Sequence, residues 1–186
     1  MQRKGIEQAI ELVSRLGKKA RLVISHASGD DGYEYQKRIT NYAQLLGVNL
    51  LFAADIFDEN RGIAEDGRKI YSLWDAYPFA DLVTYPSTVE GFGNAFLEAL
   101  YYKRPIVVND YAIYIIDIRP KGFKVIEFDD YITDETVEMT RRVLADKKLE
   151  IEMCQHNYEL ASRHFSFNVL RNKLKILLDN AFGTNN

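Results

Sequence analysis

Glu90 and Glu98 stand eight residues apart in Glu90-Gly-Phe-Gly-Asn-Ala-Phe-Leu-Glu98, on either side of a glycine-rich turn that leads into helix-forming residues. Gly91 and Gly93 leave the backbone bare and free to take positive φ, so a ligand can come close to the amides. Asn94, Ala95 and Phe96 open the helix, and its first amides lack intrahelical partners and carry the positive end of its dipole. A diphosphate is the natural occupant of such a turn. Glu98, just over one helical turn further on, is unsuited to a phosphate but suited to a ribose diol. Two charge-assisted hydrogen bonds there would each be worth roughly 1.5–3 kcal/mol. Glu90 falls at the other end of the same ligand. The segment reads as a site for a sugar nucleotide. The bland alternative is a solvated loop and an ordinary surface glutamate, and the company of Gly91, Gly93 and Pro86-Ser87 weighs against it.

The elements that must position this turn follow from the apolar pattern. Ile6, Ala9, Ile10, Val13 and Leu16 recur at helical spacing over residues 5–16, with Gly17 as the stop. Short runs rich in Val, Ile, Leu or Phe predict strands at Arg21 to Ser25, Val48 to Ala54, Leu82 to Tyr85, Pro105 to Val108 and Phe123 to Phe128, as expected of strands buried on both faces. Helices are predicted over Tyr33 to Leu46, Lys69 to Tyr77 (closed by Pro78) and Phe92 to Tyr102. Beyond Thr133 the pattern is helical, near 134–146, 149–163 and from Ser166, a good N-cap, to about Phe182, with a frayed polar tail from Gly183. Alternating strands and helices predict an α/β, Rossmann-like three-layer domain with a largely parallel sheet. Such a sheet ordinarily has a strand before its first helix. Here the sequence opens at Lys4-Gly5 with none upstream, which reads as an N-terminal truncation.

At 186 residues and 47% hydrophobic, the chain is long enough for one well-buried core, and a single domain spanning 1–186 is expected. The formal charge of −3 argues against a nucleic-acid binder that works through a broad basic field. Cys154 is the only cysteine, so no internal disulfide can form, and no run of about 18 apolar residues suggests a membrane span. Without a signal-peptide pattern, a cytoplasmic setting is expected.

Taken with Asp81-Leu-Val-Thr-Tyr-Pro86-Ser87 before it and Ala99-Leu-Tyr-Tyr-Lys-Arg-Pro105-Ile-Val-Val after it, the Glu90 to Glu98 motif resembles that of the retaining GT-B glycosyltransferases. The likeness is strongest to the group 1, family-four type that includes sucrose-phosphate synthases and mannosyltransferases, and it runs from Lys4 to about Leu178. It implies the C-terminal, donor-binding half of a two-domain enzyme that transfers a hexose with retention from a nucleotide sugar such as GDP-mannose or UDP-glucose. The N-terminal, acceptor-binding domain of such an enzyme is not in this sequence, and the isolated domain is expected to be inactive in transfer.

Position by position, the resemblance gives Lys4 the role of the cation on the donor diphosphate, although the arginine usual some residues upstream has no counterpart. It places Gly93 and Asn94 against the diphosphate, with Phe92 and Ala95 in the same loop and helix start. Glu90 becomes the catalytic-site residue on the transferred sugar, and Glu98 the ribose holder. Asp55, Ile56 and Phe57, after the second strand, would lie near the base. Where many members have small residues after the Pro-Val-Val strand, this chain has Asn109-Asp110-Tyr111-Ala112-Ile113-Tyr114. Such a bulky loop is similar to those of relatives that make mannosylglucosylglycerate-type compatible solutes.

No Asp-x-Asp occurs in the chain, so neither cofactor nor obligate metal is expected. Ser25 to Asp31 lacks the spacing of a dinucleotide-binding turn and reads as a strand-end loop, with His26 as a possible cleft residue. His156 and His164 lack metal-ligand spacing, and Cys154 reads as a packed helix residue. Tyr101 and Tyr102 read as sheet cover, whereas Tyr111 and Tyr114 sit where a loop could reach a ligand. Two other classes share the fold-level argument. One is a GT-B sugar-nucleotide epimerase, whose acid/base residues are not identifiable here, and the other is a non-catalytic nucleotide-sugar-binding module.

Overall fold

The computed structural model describes residues 4–25 and 32–183. The loop reading of His26 to Asp31 and the last three residues of the tail lie outside these. Helix α1 (Ile6–Leu16) starts from Gly5 in a left-handed conformation and buries Ala9, Ile10, Leu12 and Val13. Strand β1 (Arg21–Ile24), helix α2 (Gly32–Leu45) and strand β2 (Asn49–Phe52) follow, with β1 and β2 parallel and Val23 opposite Leu51. Ile10, Val13, Leu22, Ile24, Ile39 and Ala43 close one core between these helices and strands.

The second parallel sheet positions the Glu90 segment. Strand β6 (Val83–Tyr85) pairs with β7 (Ile106–Asn109), which pairs with β8 (Ile126–Phe128). All four residues of the central strand are buried, consistent with the near-continuous apolar run Ile106-Val107-Val108. Helix α3 (Asn94–Tyr101) crosses from β6 to β7 and buries Phe96, Ala99 and Leu100. These pack with Tyr85, Ile106, Val108, Tyr111, Tyr114, Ile118 and Phe123. On the other face Leu12, Val107, Ile126, Phe128, Val137, Val143 and Met153 join α1 to α4 (Asp134–Ala145) and α5 (Lys147–Phe165). The last helix, α6 (Phe167–Phe182), is capped by Ser166, whose hydroxyl accepts from the Val169 amide. The parallel βαβ order and the helices on both faces give the α/β Rossmann-like fold the pattern predicts.

Two local expectations are corrected. Residues 69–77 are not a helix: Lys69–Ser72 is strand β5. It lies between β3 (Phe57–Asp58, parallel) and β4 (Gly62–Ile63, antiparallel) in a small mixed sheet. Two short 3-10 turns, Leu73–Asp75 and Tyr77–Phe79, complete the segment. The spacing of Ile70, Leu73, Trp74 and Tyr77 imitates a helical face, but the Asp66-Gly67 turn folds the chain back first. Gly67 takes φ 83°, and the Ala64 amide bonds the Arg68 carbonyl at 2.9 Å. The strand expected at Phe123 to Phe128 begins only at Ile126. Ahead of it the buried Asn157 side chain takes both backbone groups of Lys124, at 2.8 and 2.6 Å, in place of a neighbouring strand. No helix among the described residues is long and apolar enough to cross a membrane.

Candidate functional site

The Glu90 segment leaves the C-terminal end of β6 and turns into α3 through Gly93, which takes φ 102° and ψ 72°. A side chain there is excluded twice. Left-handed backbone disfavours any Cβ, and an added Cβ would sit 2.8 Å from the Tyr111 hydroxyl and 2.9 Å from that of Tyr85. These two tyrosines form the floor of the turn, their rings edge to face at 5.8 Å. Tyr111 donates its hydroxyl to the Phe92 carbonyl at 2.9 Å. Gly91 has neither constraint, since its φ is not positive and an added Cβ would meet open space, so only one of the two expected glycines is required.

Above the turn, the amides of Phe96 and Leu97 go back to the Gly93 carbonyl at 3.1 and 3.5 Å. Those of Asn94 and Ala95 precede the first intrahelical bond and point out of the N-terminal end of α3. Asn94 is exposed and Ala95 half-buried. The Phe92 ring turns away and stacks edge-on against Phe165 at 5.2 Å, so this residue meets the turn through its backbone.

Lys4 and Glu90, 86 residues apart in sequence, meet at 2.5 Å. Gly5 makes that approach possible: it lies against the Pro86 carbonyl so closely that a Cβ would stand 2.2 Å from the oxygen. The Lys4 side chain is 37% exposed and that of Glu90 15%, so the pair lies at a partly open surface. Glu98 sits on α3, half-buried, and accepts the Tyr77 hydroxyl at 2.7 Å. Tyr85 senses both carboxylates. Burial raises its phenol well above the ordinary range, and the charge of Glu90, a hydrogen bond to it and the charge of Glu98 add to the shift. Tyr111 is pushed up to about 12 by burial and by Glu90. Both remain neutral donors near neutral pH.

A further residue ties the loops together. Asn109, buried at the end of β7, donates to the Ser87 carbonyl at 3.4 Å and accepts from the Asp130 amide at 2.9 Å. Gln8 on α1 donates to the Asp130 carbonyl at 3.3 Å. The loops after β6, β7 and β8 and the start of α1 are thus joined around the Lys4–Glu90 pair. Asn109, Tyr77 and Tyr85 escaped the sequence argument, because their partners are distant in the chain.

Of the expected site residues, Lys4, Glu90, Phe92, Gly93, Asn94, Ala95 and Glu98 lie on the turn or directly across it. Ile56 lies away from the turn, just before β3, where its carbonyl accepts the Tyr71 amide at 2.8 Å. Tyr111 and Tyr114 do not form a reaching loop: both are fully buried. Tyr114 points to Glu127 at 2.5 Å and continues into a π-helical turn, Tyr114–Ile118, while Arg119 bridges Asp110 and Glu127. His156 bonds the Gly122 carbonyl at 2.9 Å, and the buried Cys154 thiol is pushed up to about 11 by burial. Among the described residues no group of three or more His, Cys, Asp and Glu side chains could hold a metal ion.

No protein-family model matches the chain. It is 37% identical over 155 residues to the mannosylglucosylglycerate synthase of Thermotoga maritima, an alignment covering 76% of this chain and 34% of the relative. The chain thus spans about a third of the length of that relative. Among solved structures, it superposes on the C-terminal domain of a glycosyl transferase group 1 family protein from Francisella tularensis with a TM-score of 0.66 at 20% identity, over 90% of this chain and 82% of that one. It also superposes on Anabaena HepE in complex with UDP-glucose with a TM-score of 0.76 at 14% identity, over 97% of this chain and 46% of that one. The motif around Gly93, the fold and the 37% identical relative agree: the chain has the fold of the C-terminal, Rossmann-like domain of the GT-B glycosyltransferases.

Proposed function

We propose that the chain is the donor-binding half of a retaining glycosyltransferase, which moves a hexose from a nucleoside diphosphate sugar to an acceptor hydroxyl. The observation that carries this reading is the Gly93 turn, with Lys4–Glu90 at its mouth and Glu98 in the helix it opens. On this reading the diphosphate lies over the amides of Asn94 and Ala95, and Lys4 turns from Glu90 to the phosphate oxygens. Glu98 takes the ribose hydroxyls, and the base extends toward Asp55, Ile56 and Phe57. HepE, of the same fold, has been crystallised with UDP-glucose, which supports a nucleotide sugar as the ligand class.

The chemistry assigned to these residues is charge stabilisation and orientation. As the bond from the anomeric carbon to the diphosphate breaks, the helix-start amides and Lys4 take up the growing negative charge. The acceptor oxygen bonds to the same face of that carbon, and its proton passes to the departing phosphate oxygen. Glu90 orients the sugar. The acceptor wall comes from an N-terminal GT-B domain, so the 186-residue chain alone binds donor and transfers nothing. The test is proton NMR of the first product formed by this domain joined to that N-terminal half. An anomeric configuration equal to the donor's is expected, and an inverted one overturns retention. Donor binding without any product would mark a non-catalytic module.

A further inference from the structure

Glu98 is engaged on one side only. Oε2 accepts the Tyr77 hydroxyl at 2.7 Å, and Oε1 takes no hydrogen bond among the described residues. The tyrosine is itself held firmly. Its ring lies flat on Tyr102, with centroids 5.1 Å apart and planes within 1°, and Tyr102 meets Tyr101 edge-on at 5.0 Å. The Tyr102 amide bonds the Glu98 carbonyl at 3.0 Å, so the stacking partner of Tyr77 and the carboxylate it serves share the last turn of α3.

The backbone that presents Tyr77 is equally fixed. The 3-10 turn Tyr77–Phe79 carries Pro78 in its first turn, and Asp75 just before it is clamped by Arg61 at 2.8 and 2.5 Å and by the Ser72 amide at 3.0 Å. Burial, followed by the bond to Glu98, raises the phenol far above its ordinary range, so the hydroxyl remains a proton donor at any pH at which the protein works. A half-buried helix glutamate such as Glu98 still has several rotamers open to it, and one oxygen tied to a rigid donor removes most of them.

We propose that Tyr77 is the positioning residue for Glu98: its hydroxyl fixes Oε2 so that Oε1 faces the ribose, and it thereby sets the preference of the site for ribonucleotides over deoxyribonucleotides. This rests on the reading of Glu98 as the ribose holder, and it adds the residue that makes a flexible carboxylate selective. Tyr77→Phe isolates the effect, since phenylalanine keeps the stack on Tyr102 and the fill of the site and removes only the hydroxyl.

The experiment is calorimetric titration of the 186-residue chain with UDP, GDP and ADP and with their 2′-deoxy and 3′-deoxy forms. In the wild type the best-bound ribonucleotide is expected to bind on the order of tenfold tighter than its deoxy forms, the size of one charge-assisted hydrogen bond. In Tyr77→Phe the ribonucleotide should lose most of that advantage while the deoxy affinities hold, with the unfolding midpoint little changed. If Tyr77→Phe keeps the full discrimination and Glu98→Ala abolishes it, Tyr77 only packs and the proposal falls while the ribose reading stands. An equal loss for ribo and deoxy forms also overturns it. Wild-type protein that does not discriminate, or Glu98→Ala that still does, removes the ribose from Glu98 and the proposal with it.

Discussion

Lys4 Nζ and Glu90 Oε1 are 2.5 Å apart, although one precedes the first helix and the other follows the sixth strand. Each is the other's countercharge, and on the proposed reading a donor must part them, with the diphosphate taking the cation and the sugar taking the carboxylate. Lys4→Ala should therefore weaken binding of the best nucleotide sugar about tenfold, because one charge-assisted contact to phosphate is lost. Stability should fall by about 1 kcal/mol or more, since Glu90, only 15% exposed, loses its countercharge. Calorimetry and urea unfolding of the same preparation separate the two effects.

The two glycines of the turn should respond differently. Gly93→Ala places a Cβ against two buried hydroxyls at positive φ and should cost at least about 2 kcal/mol, with loss of nucleotide binding. Gly91→Ala meets open space and should stay within about 1 kcal/mol of wild type. Chemical denaturation of both variants checks the contrast. Equal effects would show that the tyrosine floor does not press on Gly93.

High pH should loosen the floor of the turn and the buried tyrosines around it. Tyr77, Tyr85, Tyr111 and Tyr114 all have phenols raised above their ordinary 10, first by burial, and Tyr111 reaches about 12. A raised value means that the folded state holds the proton more tightly than the unfolded state. The stabilisation is complete below about pH 10 and declines as pH climbs from there through the folded values. Urea midpoints measured from pH 8 to 12 should be flat to about 10 and then fall. In Tyr111→Phe the decline between 10 and 12 should be shallower.

Glu90→Ala in an enzyme that includes the N-terminal half should lower turnover by at least 100-fold with a much smaller change in donor affinity, as expected of a group whose contact matters most while the sugar reacts. Near-normal turnover would take Glu90 out of the mechanism. Steady-state kinetics with a saturating acceptor measures this.

The parts of this site that could be read from the chain are those built locally. Glu90, Gly93 and Glu98 lie within one turn and one helix, and the apolar run Ile106-Val107-Val108 announces the buried strand beside them. What sequence could not supply comes from distant pairs. Asn109 owes its role to Ser87 and Asp130, Tyr85 to Gly93, and Tyr77 to Glu98, and none of these pairings leaves a periodic trace. Residues 69–77 misled for a different reason. Their apolar spacing fits a helix, and only the Asp66-Gly67 turn ahead of them signals a hairpin. The Tyr111 and Tyr114 rings were expected to reach outward, yet aromatic residues at the end of a fully buried strand have more to gain in the core, where both lie.

The account turns on whether this domain binds a nucleotide sugar at the Gly93 turn, and thermal unfolding with UDP-glucose, GDP-mannose and ADP-glucose tests it most directly. A donor at 100 times its dissociation constant adds about 2.7 kcal/mol to the folded state. At least one of the three should raise the unfolding midpoint by several degrees, and Glu98→Ala should reduce that rise. No shift with any of them, or a shift that Glu98→Ala and Lys4→Ala leave untouched, would contradict the account.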